Sequence, residues 1–248
     1  MLTARGLAKQ FRGFRAVDGV DLSVAEGGVH ALVGPNGAGK TTLFNLLSGF
    51  IAPSAGRICL AGREITGLAP ERIARLGVAR SFQITNLFPM LSGREHIELA
   101  LAGRAGQGFW FWRSDRLLAQ HAERAAELLA SVGLEHAADA PADTLPYGQK
   151  RALELALALA LDPRVLLLDE PTAGMGAEDV ERTVELIGRV RAGRTVVLVE
   201  HNMNVVASLA DRVTVLQLGR VLVEGAYAEV RDDPRVIAAY LGEPNAAH

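Results

Sequence analysis

Gly34-Pro35-Asn36-Gly37-Ala38-Gly39-Lys40-Thr41 satisfies G-x-x-x-x-G-K-[ST] at every fixed position. The chemistry requires those residue types. Gly34, Gly37 and Gly39 let the backbone wrap closely, so that its N–H groups and the start of a following helix point at phosphate oxygens. Pro35 and Ala38 complete the loop, and Asn36 and Thr42 are expected to fix it around the phosphates. Lys40 reaches toward the β- and γ-phosphates, and the Thr41 hydroxyl suits Mg²⁺. The segment follows a candidate strand, Val29–Val33, and opens a candidate helix, Lys40–Gly49. That context predicts a nucleoside-triphosphate site.

Such a loop needs a carboxylate for the metal. Val165-Leu166-Leu167-Leu168 reads as an apolar strand ending in two adjacent acids, Asp169 and Glu170. Neighbouring strand residues face opposite ways, but a strand that stops at Leu168 lets both acids turn into the crevice beyond the strand ends. Asp169 is assigned to Mg²⁺, directly or through water. Glu170 is assigned to orient and deprotonate the attacking water.

The elements that must position these residues follow an α/β pattern of short Val/Ile/Leu runs alternating with longer helical segments. Leu2 to about Val24 reads as antiparallel strands, Arg57–Leu60 and Val78–Phe82 as further strands. From Ile84 to Pro146 strand signals vanish and helices are expected over Arg94–Leu101 and Ser114–Val132. Within that insert, Phe109-Trp110-Phe111-Trp112 reads equally well as packing inside it or as a contact surface. The pattern then resumes with helix Gln149–Leu161, helix Ala177–Arg191, strand Thr195–Val199, helix Asn204–Ala210, strands Val213–Leu218 and Val221–Glu224, and helix Pro234–Leu241.

Composition narrows the classes. The 248 residues carry 26 Lys+Arg against 28 Asp+Glu, a net charge of −2, which gives no argument for nucleic acid as partner. The single Cys59, expected as a small core residue, excludes an intramolecular disulfide. Apolar residues reach 49%, yet the richest stretch, from Ala152 to Leu168, is broken by Glu154, Asp162 and Arg164, so no membrane span is predicted.

Several further residues fall into one ordered set. Leu145-Pro146-Tyr147-Gly148-Gln149 lies twenty residues before Asp169. Gln83 follows the strand at 78, His201 follows the strand at 195, and Phe11 ends an early strand, with Phe14 close enough to compete. Asp169-Glu170-Pro171-Thr172 completes the set, which resembles ABC ATPases along essentially the whole chain. The resemblance implies a P-loop NTPase of the ABC ATPase fold, with an antiparallel β subdomain and a helical insert, in one domain over 1–248. Residues 1–83 and 147–248 would form the core, and 84–146 the helical signature subdomain. It also implies that Tyr147, Gly148 and Gln149 form the signature, Gln83 is the Q-loop glutamine and a metal neighbour, His201 is the switch histidine, and Phe11 stacks on adenine. Phe82-Gln83, Asn86-Leu87-Phe88, Ala173-Gly174-Met175 and Ala239-Tyr240-Leu241-Gly242 are similar to one subgroup, the ATPase subunits of branched-chain amino-acid and urea/amide importers.

From that subgroup follow ATP and Mg²⁺ as ligands and a head-to-tail pair with a second ATPase subunit, identical or paralogous. Permease transmembrane subunits would be gripped by the insert, a solute-binding protein would act at one remove, and the location would be peripheral, on the cytoplasmic face of the inner membrane. Glu200 beside His201 suggests that the imidazole is held near the γ-phosphate. Two departures stand out. Pro146 replaces the usual signature serine and removes one donor, an effect of about 1–3 kcal/mol if unreplaced. Gly176 stands where an aspartate is usual in the D-loop. An ABC-type ATPase acting on DNA or ribosomes would need coiled-coil insertions or fused ATPase domains that are absent, and a P-loop kinase would need an acceptor site that the insert does not display.

Overall fold

Strands buried on both faces read as largely apolar runs, and three such runs form the centre of this protein. The computed structural model describes residues 1–81, 87–105 and 121–241. β1 (Leu2–Phe11) and β2 (Phe14–Val24) form an antiparallel hairpin, and β3 (Val29–Val33) follows with all five residues buried. After the glycine loop come α1 (Lys40–Leu47), β4 (Ala55–Leu60), β5 (Arg63–Glu64), α2 (Pro70–Arg75) and β6 (Val78–Arg80). Then follow α3 (Gly93–Arg104), α4 (Ala122–Ser131), two short 3₁₀ turns and α5 (Tyr147–Ala160). The chain continues through β7 (Val165–Asp169), α6 (Ala177–Val190), β8 (Thr195–Val199), α7 (Met203–Leu209), β9 (Arg212–Gln217) and β10 (Arg220–Gly225). It closes with α8 (Tyr227–Arg231) and α9 (Pro234–Leu241).

Two sheets result. One is antiparallel, in the order β2-β1-β4-β5; the other runs β10-β9-β3-β8-β7-β6, parallel except for the β9–β10 hairpin. The two-residue period sorts the central strands between two cores. Leu167, Val197 and Val199 face a cluster with Phe44 and Leu47 of α1 and with Leu7 and Leu22 of the antiparallel sheet. Leu166, Leu168, Val196 and Leu198 face the opposite cluster, with Leu153 and Leu159 of α5 and Ile187 of α6. The glycine loop is thereby clamped between a rigid central strand and a helix whose apolar side is fully buried.

Predicted and observed elements agree in kind and differ at ends. The strand expected over Val78–Phe82 stops at Arg80, and Asp169 lies inside β7 rather than beyond it. Ser92 caps α3 by accepting from the Glu95 N–H, while the Glu95 carboxylate takes the Ser92 N–H. The helix expected from Ser114 is described only from Ala122, and Phe109–Trp112 and Gly242 lie outside the described residues. Cys59 is half-buried rather than core. Among the described residues no helix is long and apolar enough to cross a membrane.

Candidate functional site

The register of the central sheet brings four strand ends to one edge. Leu32 of β3 and Asp169 of β7 both lie beside Val199 of β8, and Arg80 of β6 lies beside Leu167. With strands about 4.8 Å apart, the segments after β3, β7 and β8 leave the sheet side by side. This is the crevice at the carboxyl ends of parallel strands where α/β proteins bind ligands.

Residues 34–39 span the first of these exits. Gly34 has φ +147°, and a Cβ there would lie 2.2 Å from the Leu216 carbonyl oxygen; at Gly39, φ +99°, it would lie 2.4 Å from that of Ala16. Both positions admit only glycine. α1 begins without a side-chain cap and without an acid in its first turn, so its leading N–H groups are available to an anion. Lys40 folds back, its Nζ donating to the carbonyls of Gly34 at 2.6 Å and Pro35 at 3.0 Å. Burial lowers its pKa, while the charges of Glu170 and Asp169 work against that shift. Lys40 therefore sits within the field of both acids. Thr41 is exposed and Thr42 half-buried. The Gly34 N–H also meets the hydroxyl of Tyr240 in α9, whose pKa is raised by burial and lowered by that bond.

Asp169 and Glu170 diverge in environment. Asp169 is 1% exposed; its Oδ2 accepts from Arg80 Nη2 at 2.6 Å. Its Oδ1 is buried and has no hydrogen-bond partner among the described residues. An orphaned carboxylate oxygen within the field of a lysine fits a hydrated divalent cation. Glu170 is half-buried and takes the left-handed conformation, φ +48°, its N–H bonded to the Val199 carbonyl at 2.9 Å. The turn that aims the second acid is thus at Glu170, one residue later than a strand stopping at Leu168 implies.

Glu200, unassigned by its sequence context, is the fixed point of the next exit. It is fully buried, and its carboxylate accepts from the Thr172 hydroxyl at 2.6 Å, the Thr172 N–H at 3.2 Å, and the N–H groups of His201 at 3.0 Å and Asn202 at 3.2 Å. One carboxylate therefore joins the segments after β7 and β8. The His201 ring is not held by it: Nδ1 is 3.9 Å from Glu200 Oε2, and the side chain is 62% exposed. An acid directly after the apolar run over 196–199 is the signal that points to Glu200.

Phe11 is 44% exposed at the tip of the β1–β2 hairpin, with Lys9 Nζ 5.1 Å from its ring centroid, and Phe14 is 66% exposed, so neither is core. Tyr147, Gly148 and Gln149 form the first turn of α5, after Pro146 at its N-cap. The Tyr147 hydroxyl donates to the Ala173 carbonyl at 3.1 Å and accepts from Arg151, and the Gln149 amide meets His136 at 3.3 Å. Among the described residues none of their hydrogen bonds goes to the glycine loop. Gln83 lies outside the described residues.

Comparison with known proteins accounts for this arrangement. The family described as ABC transporter matches residues 17–173, and the family described as branched-chain amino acid ATP-binding cassette transporter matches 220–245. The chain is 42% identical to the high-affinity branched-chain amino acid transport ATP-binding protein BraF of Pseudomonas aeruginosa, with 98% of each covered. It is 37% identical to LivG, of the same description, from Escherichia coli (strain K12), again with 98% of each covered. A nucleotide-free ATP-binding cassette from an ABC transporter superposes with TM-score 0.85 at 27% identity, covering 98% of this chain and 99% of that one. A dimeric cassette bound to ADP and Pi gives 0.77 at 26% identity, covering 92% and 99%. The chain thus belongs to the ATP-binding subunits of ABC transporters, and is an ATPase of that family.

Proposed function

We propose that this subunit binds and hydrolyses ATP with Mg²⁺ to energise an importer of branched-chain amino acids or related solutes. It docks on permease transmembrane subunits at the cytoplasmic face of the inner membrane and pairs head-to-tail with a second ATPase subunit. The charge coupling of Lys40, after β3, with Asp169 and Glu170, at the end of β7 beyond the intervening β8, is the observation that carries the reading. The solute class is supported by the full-length likeness to BraF and LivG.

The chain's own groups take distinct parts. Residues 34–39 and the start of α1 receive the phosphates, and Lys40 exchanges its loop carbonyls for phosphate oxygens. Thr41 and the free oxygen of Asp169 hold the hydrated cation, which when bound draws charge from the phosphates. Glu170 takes the proton of the attacking water, His201 swings from solvent toward the γ-phosphate, and Gln83 serves the metal site. Phe11 covers the base. Tyr147, Gly148 and Gln149 make no hydrogen bond to their own loop among the described residues, which supports a reading in which the first turn of α5 completes the partner's site.

Copurification with permease subunits, followed by ATPase assays with the solute-binding protein, tests the function. Stimulation by leucine, isoleucine or valine is expected. Stimulation by urea or short amides alone would move the subunit to the other solute group, and failure to associate with any permease would overturn the transport role.

A further inference from the structure

Arg80 belongs to none of the motifs discussed above, yet it supplies the one side-chain hydrogen bond that the metal carboxylate accepts among the described residues. Its Nη2 donates to Asp169 Oδ2 at 2.6 Å, in an ion pair whose side chains are 11% and 0% exposed. Its Nη1 donates to Asn45 Oδ1 at 2.6 Å and to Ser48 Oγ at 3.1 Å, in and just after α1. The guanidinium lies 5.2 Å from the Phe44 ring centroid and 5.4 Å from that of Phe50. A planar fork held on two arms between two rings has one orientation. Lysine, a single point donor, cannot span the same set.

We propose that Arg80 is a positioning residue for the cation, fixing Asp169 by one oxygen so that the other stays aimed at the metal. The second arm carries the consequence further. Thr41 stands at the start of α1 and Asn45 one turn on, so Arg80 locks the metal carboxylate to the helix that bears the metal hydroxyl. The glycine loop and the acid thereby move as one body. Arg80 touches neither nucleotide nor cation and acts only through Asp169. A purely structural ion pair would serve equally well with both carboxylate oxygens engaged; here Oδ1 is left without a partner among the described residues.

The inference rests on Asp169 facing Mg²⁺, and the experiment separates the two. Binding of a non-hydrolysable ATP analogue is measured with Mg²⁺ and with EDTA, and the ratio of affinities reports the metal's contribution without turnover. In Arg80→Met, which keeps an apolar stem between the rings, that ratio should fall about tenfold, the usual size for loss of a metal's outer-shell partner. Affinity in EDTA should stay within about twofold, since no phosphate contact changes. Asn45→Ala, which keeps the ion pair and loosens its other anchor, should show a smaller fall and carries the test if Arg80→Met does not fold. Arg80→Lys should lie between wild type and Arg80→Met. An unchanged ratio in folded Arg80→Met or Asn45→Ala, beside a lost ratio in Asp169→Asn, overturns the role of Arg80 alone. An unchanged ratio in Asp169→Asn overturns the metal assignment and this inference with it.

Discussion

The glycine loop and the first turn of α5 are both helix N-termini suited to anions, but they are finished differently. The loop is completed within the chain: Lys40 satisfies its carbonyls, two glycines fit against other backbone, and the acids of β7 lie across the adjacent strand ends. The turn at Tyr147 is completed only on its inner side, where the tyrosine hydroxyl bonds the Ala173 carbonyl and Gly148 abuts Asp179. Its outer side is exposed, with Tyr147 at 44%. On the function proposed above, one region is a site and the other half of one. That difference is what a head-to-tail pair requires, since each subunit must bring a finished pocket and an unfinished surface.

The comparison can be broken most severely at Lys40. Lys40→Ala removes the cation of the loop and should lower ATP turnover about a thousandfold; turnover near wild type in an ATPase assay would show that the loop is not the site. Glu170→Gln should slow hydrolysis by about 10²–10⁴-fold, the range of a general base, while filter or fluorescence binding finds ATP affinity unchanged. Wild-type turnover in that variant would remove Glu170 from the proton transfer.

On the unfinished side the effects should be smaller. Pro146→Ser adds a hydroxyl at the N-cap of α5 and should leave turnover equal or raise it by at most about tenfold, the worth of one hydrogen bond. A large loss would show that the proline itself sets the turn.

The smallest effect tests the rigidity of the strand that carries the loop. His30 of β3 is 2% exposed, and burial pushes its pKa down from 6.5 to about 4. Its Nε2 meets the Thr214 hydroxyl at 2.7 Å, and that hydroxyl donates to Glu224 at 2.9 Å, so Nε2 carries the proton. The unfolded chain takes up a second ring proton below pH 6.5, whereas the folded chain does so only near pH 4. Stability from this residue is therefore present above pH 6.5 and falls as the pH drops toward 4. The loss is at most about 3 kcal/mol. Denaturant titrations of His30→Gln should show a shallower fall across that window; an identical fall would place the acid sensitivity elsewhere.

What the sequence disclosed follows the range of the interactions. The glycine loop is local chemistry, legible from types and spacing, and the central strands are legible because burial on both faces leaves largely apolar runs. Helix α2 leaves no periodic signal in the sequence although Pro70 stands at its start, because six residues are too short for one. The two anchors of the site are long-range. Arg80 and Asp169 are 89 positions apart, Thr172 and Glu200 28 apart. Arg80 looks like an ordinary surface charge until the sheet register sets it at the edge, whereas Glu200 is marked only by its place directly after an apolar run. His201 shows the converse: adjacency to Glu200 suggested a held ring, but the buried carboxylate is spent on backbone N–H groups and the ring lies in solvent.

The division between a finished and an unfinished half is tested most directly at Gly148, where a Cβ would already lie 3.1 Å from Asp179 Oδ1. Gly148→Asp puts a second carboxylate there and directs negative charge at whatever anion the turn receives. Nucleotide affinity of the isolated subunit and ATP turnover of the assembled transporter are measured together. Unchanged affinity with turnover reduced at least about tenfold, as for a lost phosphate-directed group, is the predicted result. Weakened ATP binding by the isolated subunit, or unchanged turnover in the assembly, would contradict it.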